Sequence, residues 1–236
     1  AIPGMRETGI TDFAIDAMEN RFDALYIMDI EERDILNSVV TSSAQRIHVK
    51  NTVTDFTNRA LNSSFAAAYF PDVIQRDPST GTNIRVPPSV AVLGAFALND
   101  AIGHPWFAPA GFTRGALSTI TSLDVRLNAE DRDTLYEARI NPIANFPNKQ
   151  FVIFGQKTSQ LARTALDRVN VRRLVLEVKR RIEIIAQGLL FEQNNKATRD
   201  NFISNSSREL ATIQIGQGIE DFRVIMDETN NSDEDV

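Results

Sequence analysis

Short apolar runs alternate along the chain with stretches whose apolar positions recur every three or four residues, the pattern of strands interleaved with helices. Residues 16–23 suit a helix, and Ala24-Leu25-Tyr26-Ile27-Met28-Asp29 then reads as a strand buried on both faces. Residues 43–62 carry Ile47, Val49, Val53, Phe56, Ala60 and Leu61 at mixed, mainly helical spacing. Ala66-Ala67-Ala68-Tyr69-Phe70 predicts a second buried strand, with Pro71 turning Phe70 away from helical geometry. The DPSTGTN stretch, residues 77–83, is turn chemistry, with Gly81 where a positive φ is needed. Beyond it, VAVLGAFALND predicts a close-packed helix and GHPWFAPAG, residues 103–111, an ordered loop. Asp131 to Arg139 reads as a helical turn and Phe151 to Gly155 as a third buried strand.

The clearest periodicity comes last. Val171, Leu174, Val175, Val178, Ile182, Ile185, Ala186 and Leu189 fall in one stripe when residues are placed about 100° apart on a wheel. That stripe predicts burial of Leu174, Val178, Ile182 and Ile185 against a sheet made from 151–155 and 222–226. Arg172, Arg173, Lys179 and Arg180 occupy the opposite arc, with Leu176 and Ile184 among them. A second helix is expected from Ala197 to about Ile213, and a strand over Phe222 to Met226. The fold class is therefore α/β, becoming α+β in the C-terminal part. Two lobes are expected, residues 1–134 and 135–236, the second carrying the two long helices and ending in an acidic linker.

Composition narrows the chemistry. The 236 residues are 42% hydrophobic and 24% charged, enough to bury about seven-tenths of the unfolded surface in an ordinary core. With no Cys and only 2 His, disulfides, thiolate nucleophiles and imidazole-based Zn or Cu centres are disfavoured. No apolar run approaches the ~18 residues of a membrane span, so no membrane insertion is expected. Of the net charge of −6, the last ten residues hold five acids and no base, which leaves the rest nearly neutral. Such a chain lacks the cationic footprint that direct nucleic-acid binding requires. The opening Ala1-Ile2-Pro3-Gly4 and the polar acidic end together suggest a piece of something longer.

Three stretches mimic catalytic or ligand-binding arrangements. Asp29, His48 and Ser118 stand in a subtilisin-like order, yet no G-x-S-x-G elbow or oxyanion turn accompanies them. His48, in RIHVK, reads as an ordinary polar residue and His104, before Pro105 and Trp106, as a loop-packing one. The FVIFGQKT stretch mimics the end of a phosphate loop. However, Gln156 precedes Lys157 and Phe151 stands where the first glycine belongs, so the amide cradle is missing. Asp227, Thr229, Asn231, Asp233 and Asp235 alternate like a calcium loop, but Ser232 replaces the turn glycine. An acidic, solvated linker is the simpler reading.

Surface chemistry is more informative. The segment from Asp167 to Gln187 holds six bases against three acids. A face mixing Arg, Lys and Leu suits contact with another protein, where Arg and apolar anchors are enriched, though many charged helix faces are merely solvated. Arg172, Arg173, Leu176, Lys179 and Arg180 are therefore candidate assembly residues. Trp106 either plugs the lobe boundary or anchors an interface.

Four blocks, in order, carry a family resemblance: SFAAAYFPDV (64–73), VPPSVAVLGAFALNDAIGHPWFAPAGFTRG (86–115), RINPIANFPNKQFVIFGQKTS (139–159) and LDRVNVRRLVLEVKRRIEIIAQGLLFEQNN (166–195). With their W-x-A-P-A-G, I-N-P-I, G-x-K-T and D-R-V-N-V-R-R-L elements, they resemble the tail sheath protein of contractile-tailed bacteriophages, especially the T4-like kind. The likeness runs over about residues 24–231. It implies a sheath core with a subtilisin-like α/β layer and a compact helix-on-sheet lobe, no catalysis and no cofactor. It also implies a virion protein, made in the host cytoplasm, that polymerises as hexameric rings in a helical array. Its partners would be other sheath copies, the tail tube protein and the baseplate, and contraction would drive the tube through the host envelope during genome delivery. The terminal arms that tie such subunits together are missing here, so the isolated piece is expected to be monomeric. The alternatives are the sheath of a related device, an R-type bacteriocin or a secretion system, and a subtilisin-like hydrolase.

Overall fold

The computed structural model describes residues 1–30, 42–147, 149–227 and 230–231, with backbone alone for 42–48. The chain forms two compact units, Ala1–Arg173 and Leu174–Val236.

The first unit opens with α1 (Thr8–Arg21) and β1 (Tyr26–Asp29), followed by α2 (Ser42–Asn58) and β2 (Ala66–Phe70). A hairpin, β3 (Val73–Arg76) and β4 (Asn83–Val86), leads into α3 (Pro88–Ile102), a short α4 (Gly111–Arg114), β5 (Ala116–Leu117) and β6 (Ile120–Leu123). Then come α5 (Ala129–Glu137), β7 (Ile140–Asn145) and β8 (Phe151–Ile153). Finally α6 (Val169–Gln187) starts in this unit and runs into the second.

Five strands make one sheet in the order β1-β2-β7-β8-β5, and three make another in the order β4-β3-β6. In the larger sheet β1, β2 and β7 run parallel, while β8 is antiparallel to both β7 and β5. Side chains alternate between its two faces, as the pleat demands. Tyr26, Met28, Ala66, Ala68, Phe70 and Ile140 share one core with Ala14 and Ile15 of α1, Phe56 of α2 and Leu135 of α5. Ile27, Ala67, Tyr69, Ile143 and Ile153 share the other with Val92, Ala95 and Phe96 of α3. Helices cover both faces, which is why the parallel strands read as continuous apolar runs.

Local chemistry sets several boundaries. Pro88 sits in the first turn of α3, where a missing N–H is harmless. Asn128 and Asp131 close a reciprocal capping box on α5. Gly81 takes φ 69° in the β3–β4 turn, as expected. The expected helices, loop and three buried strands are present, the third ending at Ile153, short of Gly155, and α1 begins earlier than residue 16.

Two expectations need correction. No lobe boundary falls near residue 135, because β7 lies between β2 and β8 in one sheet and ties later residues to earlier ones. Residues 222–226 are not a strand: they alternate between half-buried and exposed, but no ladder partner for them exists among the described residues.

The second unit holds the rest of α6 and α7 (Lys196–Ile215), capped by Asn195, whose side chain accepts from Thr198 N–H. An Arg181–Glu209 ion pair of 3.3 Å joins the two helices. Leu210 and Ile213 are buried on α7. Leu174, Val178, Ile182 and Ile185 are only half-buried, so the stripe on α6 is not the fully enclosed face its periodicity predicts.

Candidate functional site

The proposed assembly arc does not exist as a continuous cationic face. Arg172 is 3% exposed. It donates a hydrogen bond to the Ser64 hydroxyl and lies over the rings of Phe65 (4.0 Å) and Phe22 (5.5 Å). Two of its nitrogens, Nε and Nη1, have no hydrogen-bond partner among the described residues. Burial depresses its pKa, partly offset by the negative charge of Glu19. Arg173 lies over the Phe96 ring at 4.6 Å and pairs with Asp100 at 2.6 Å. Both arginines therefore anchor the start of α6 to the first unit. Wheel geometry alone puts them outside, because it cannot see the Ser64–Phe65 segment packed on Arg172 or α3 packed on Arg173.

Farther along α6, Arg180 and Arg181 are paired with Glu177 of the same helix. Glu177 accepts from Arg180 at 2.8 and 2.9 Å and from Arg181 at 2.8 Å. The hydrogen bond from Arg180, ahead of that from Arg181, holds the Glu177 carboxyl below its ordinary range. Leu176 and Lys179 are half-buried, and the Arg180 side chain is 60% exposed.

Trp106 is 4% exposed, stacked on His104 with ring centres 4.5 Å apart, and its carbonyl accepts from Asn170 Nδ2 at 3.4 Å. It plugs the structure and is not displayed as an anchor. His104 packs in that loop as expected.

The two short elements I-N-P-I and G-x-K-T meet each other. Asn141, fully buried on β7, donates from Nδ2 to the carbonyls of Ala68 (3.0 Å) and Lys157 (2.8 Å). Its Oδ1 accepts from Lys157 N–H at 2.6 Å. One side chain thus pins residue 157 to the middle of the sheet. The Lys157 ammonium donates to the Tyr136 carbonyl at 2.8 Å and sits 3.8 Å from the centre of that ring. Thr158 Oγ1 donates to the Leu166 carbonyl at 2.9 Å. The groups that a phosphate loop would aim at a nucleotide are all occupied by the protein. The sequence had singled out both elements without showing that they touch.

Asp29, the first member of the subtilisin-like order, is engaged by its neighbours. Its Oδ1 accepts from Ser89 N–H (2.8 Å), and its Oδ2 from Ser89 Oγ (2.7 Å) and Gly4 N–H (2.9 Å). The carboxylate is spent tying β1 to the start of α3 and the N-terminal segment. The His48 side chain, residues 228–229 and residues 232–236 lie outside the described residues, so the calcium-loop reading of the tail is not described. Among the described residues no three His, Asp or Glu side chains converge as metal ligands, and no helix is long and apolar enough to cross a membrane.

No family model matches the chain. It is 42% identical over 146 residues to the tail sheath protein of Vibrio phage KVP40, covering 62% of this chain and 22% of that protein. It is 33% identical over 156 residues to the tail sheath protein of Enterobacteria phage T4, covering 66% of this chain and 24% of that protein. The match therefore spans about a quarter of the length of these relatives. Among solved structures, the contracted helical sheath of the anti-feeding prophage aligns over 92% of this chain and 54% of its own, with TM-score 0.65 and 23% identity. The contracted sheath complex of an extracellular contractile injection system (PVC) aligns over 84% of this chain and 50% of its own, with TM-score 0.64 and 23% identity. A sheath tail protein from Desulfitobacterium hafniense aligns over 93% of this chain and 52% of its own, with TM-score 0.53 and 12% identity. These structural likenesses establish the mixed α/β sheath fold. By sequence over roughly two thirds of its length the chain is similar to phage tail sheath proteins, and by fold over most of it to contractile sheaths.

Proposed function

We propose that the chain belongs to the structural subunit of a contractile phage tail sheath. Such a subunit polymerises helically around the tail tube and contracts to drive it through the host envelope during genome delivery. The observation that carries this reading is the 42% identity to a phage tail sheath protein over 146 residues. Contractile injection-system sheaths share the fold at 23% identity, which favours the phage device over a secretion or bacteriocin sheath. The occupied Asp29 carboxylate and the engaged Lys157 fit a scaffold whose polar groups hold its own chain together. The partners are other sheath copies in hexameric rings, the tube protein and the baseplate. The protein is made in the host cytoplasm and ends in the virion.

Within this reading, Leu176, Lys179 and Arg180 on α6 contribute to contacts with the tube or a neighbouring sheath subunit. Screened surface ion pairs, each worth about 0–1 kcal/mol, hold by repetition and still permit sliding. Electron microscopy of the complete gene product tests the function. Regular sheath-like tubes are expected; a protein that stays monomeric at every concentration and salt tried would overturn it.

A further inference from the structure

One cleft is lined by four cations, two of which, Lys157 and Arg168, are engaged by the fold. It has a volume of about 300 Å³ and lies between the C-terminal end of α5 and the segment 157–168. Its charged walls are Arg139, Lys157, Arg163 and Arg168 against Glu137 and Asp167. Four bases meet two acids there, in a chain whose overall charge is −6.

The cleft is built rigidly. Residues 157 and 168 face each other in a short antiparallel bridge, flanked by hydrogen bonds from Thr158 N–H to the Asp167 carbonyl and from Val169 N–H to the Gln156 carbonyl, both 2.9 Å. Arg168 donates to the Tyr136 hydroxyl at 2.6 Å and pairs with Asp167 at 3.1 Å. Burial first, and then the positive charges of Arg168 and Arg139, lower the Lys157 pKa, so positive charge is crowded here. The Arg139 and Arg163 side chains make no ion pair or hydrogen bond among the described residues. Most arginines elsewhere in the first unit do: Arg6 and Arg85 with Asp72, Arg59 with Asp12 and Arg173 with Asp100.

The wall chemistry discriminates between anions. A phosphate group wants a cradle of free backbone N–H groups or a helix N-terminus. Here the N–H groups of Lys157 and Thr158 are already bonded, and the helix end at the cleft is a C-terminus, which carries partial negative charge. Guanidinium forks match carboxylates and phosphates alike, but a carboxylate needs no such cradle beside them. A half-open cleft with a net charge of two suits one or two acidic side chains entering from outside.

We propose that this cleft binds acidic side chains of a second copy of the chain, with Arg139 and Arg163 as the receiving forks. The identity of the partner rests on the sheath reading above. It is favoured by the chain's own surplus of acids, 31 against 25 bases.

The experiment compares assembly of the complete gene product as wild type, as Arg139→Glu/Arg163→Glu, and as a control, Arg126→Glu/Arg208→Glu, that reverses two bases outside the cleft. The cleft variant should need about tenfold more protein to form tubes, the size of effect expected for lost charge pairs at an interface, with the control unchanged. Its melting temperature should match wild type, since neither arginine is paired in the subunit. Were it to misfold, Arg163→Gln, a change at an exposed position, should still weaken assembly. Equal assembly by the wild type and by both the cleft variant and Arg163→Gln overturns the cleft proposal and leaves the sheath reading standing. A wild type that never assembles overturns both. Millimolar inorganic phosphate that stabilises wild type but not the cleft variant, at matched ionic strength, would assign the cleft to a free anion and overturn the proposal.

Discussion

Gly155 passes so close to Asn141 that a Cβ on it would stand 2.9 Å from the Asn141 Oδ1 and 3.1 Å from the Pro142 ring. The glycine is needed for this approach, which lets the chain leave β8 and run directly over the Asn141 amide. Gly155→Ala should destabilise the protein by about 1–3 kcal/mol through overpacking. Combined with Asn141→Ala, its effect should fall short of additive, because both act on one contact. Chemical denaturation of the two single variants and the double variant measures this.

Arg172 is a buried cation held mainly by aromatic rings. Arg172→Met should leave stability within about 1 kcal/mol of wild type, since an apolar side chain of similar length removes the desolvated charge. Arg172→Ala should cost about 2 kcal/mol through lost packing. If Met proved as harmful as Ala, the charge itself would be what stabilises the site.

Glu177 gives a pH signature. Its folded pKa lies below the ordinary 4.5, chiefly through Arg180. Its contribution is therefore present above pH 4.5 and is lost as pH falls through the folded value. The melting-temperature gap between wild type and Glu177→Gln should close on acidification from pH 7 to pH 3.

On α5, Asn128→Ala removes the capping box and should cost about 1 kcal/mol. On α6, Ile182 is only half-buried, so Ile182→Ala should cost about 1 kcal/mol, well short of the about 2–5 kcal/mol of an enclosed site. Thermal melts of the two variants decide both.

The elements legible in the sequence were those with local causes. The apolar runs of β1 and β2, the turn around Gly81 and the periodicity of α6 all follow from residues within a few positions. β7 was not legible, because Pro142 reads as a breaker inside a strand. In the structure β7 pairs with β2 up to Pro142 and with β8 from Ile143 onward, so the proline falls where the strand changes partner. The Phe222–Met226 run failed for the converse reason: alternation was present, but a strand also needs a neighbour. At the candidate assembly face the burial of Arg172 was not legible, and for Trp106 the structure has the plug of the two readings offered. Arg172 and Trp106 owe their burial to Ser64, Phe65 and His104, contacts that no spacing rule contains.

The three consecutive alanines of β2, with their side chains on alternate faces of an interior strand of the five-stranded sheet, have a mechanical consequence. Alanine has no rotamers to exchange and leaves the covering layers no slack to take up, so the sheet and its helices form a stiff plate of low compressibility. A push applied to the first unit is then passed on as displacement of the whole body and is not absorbed as internal strain. Deformation under load is left to whatever surrounds that plate.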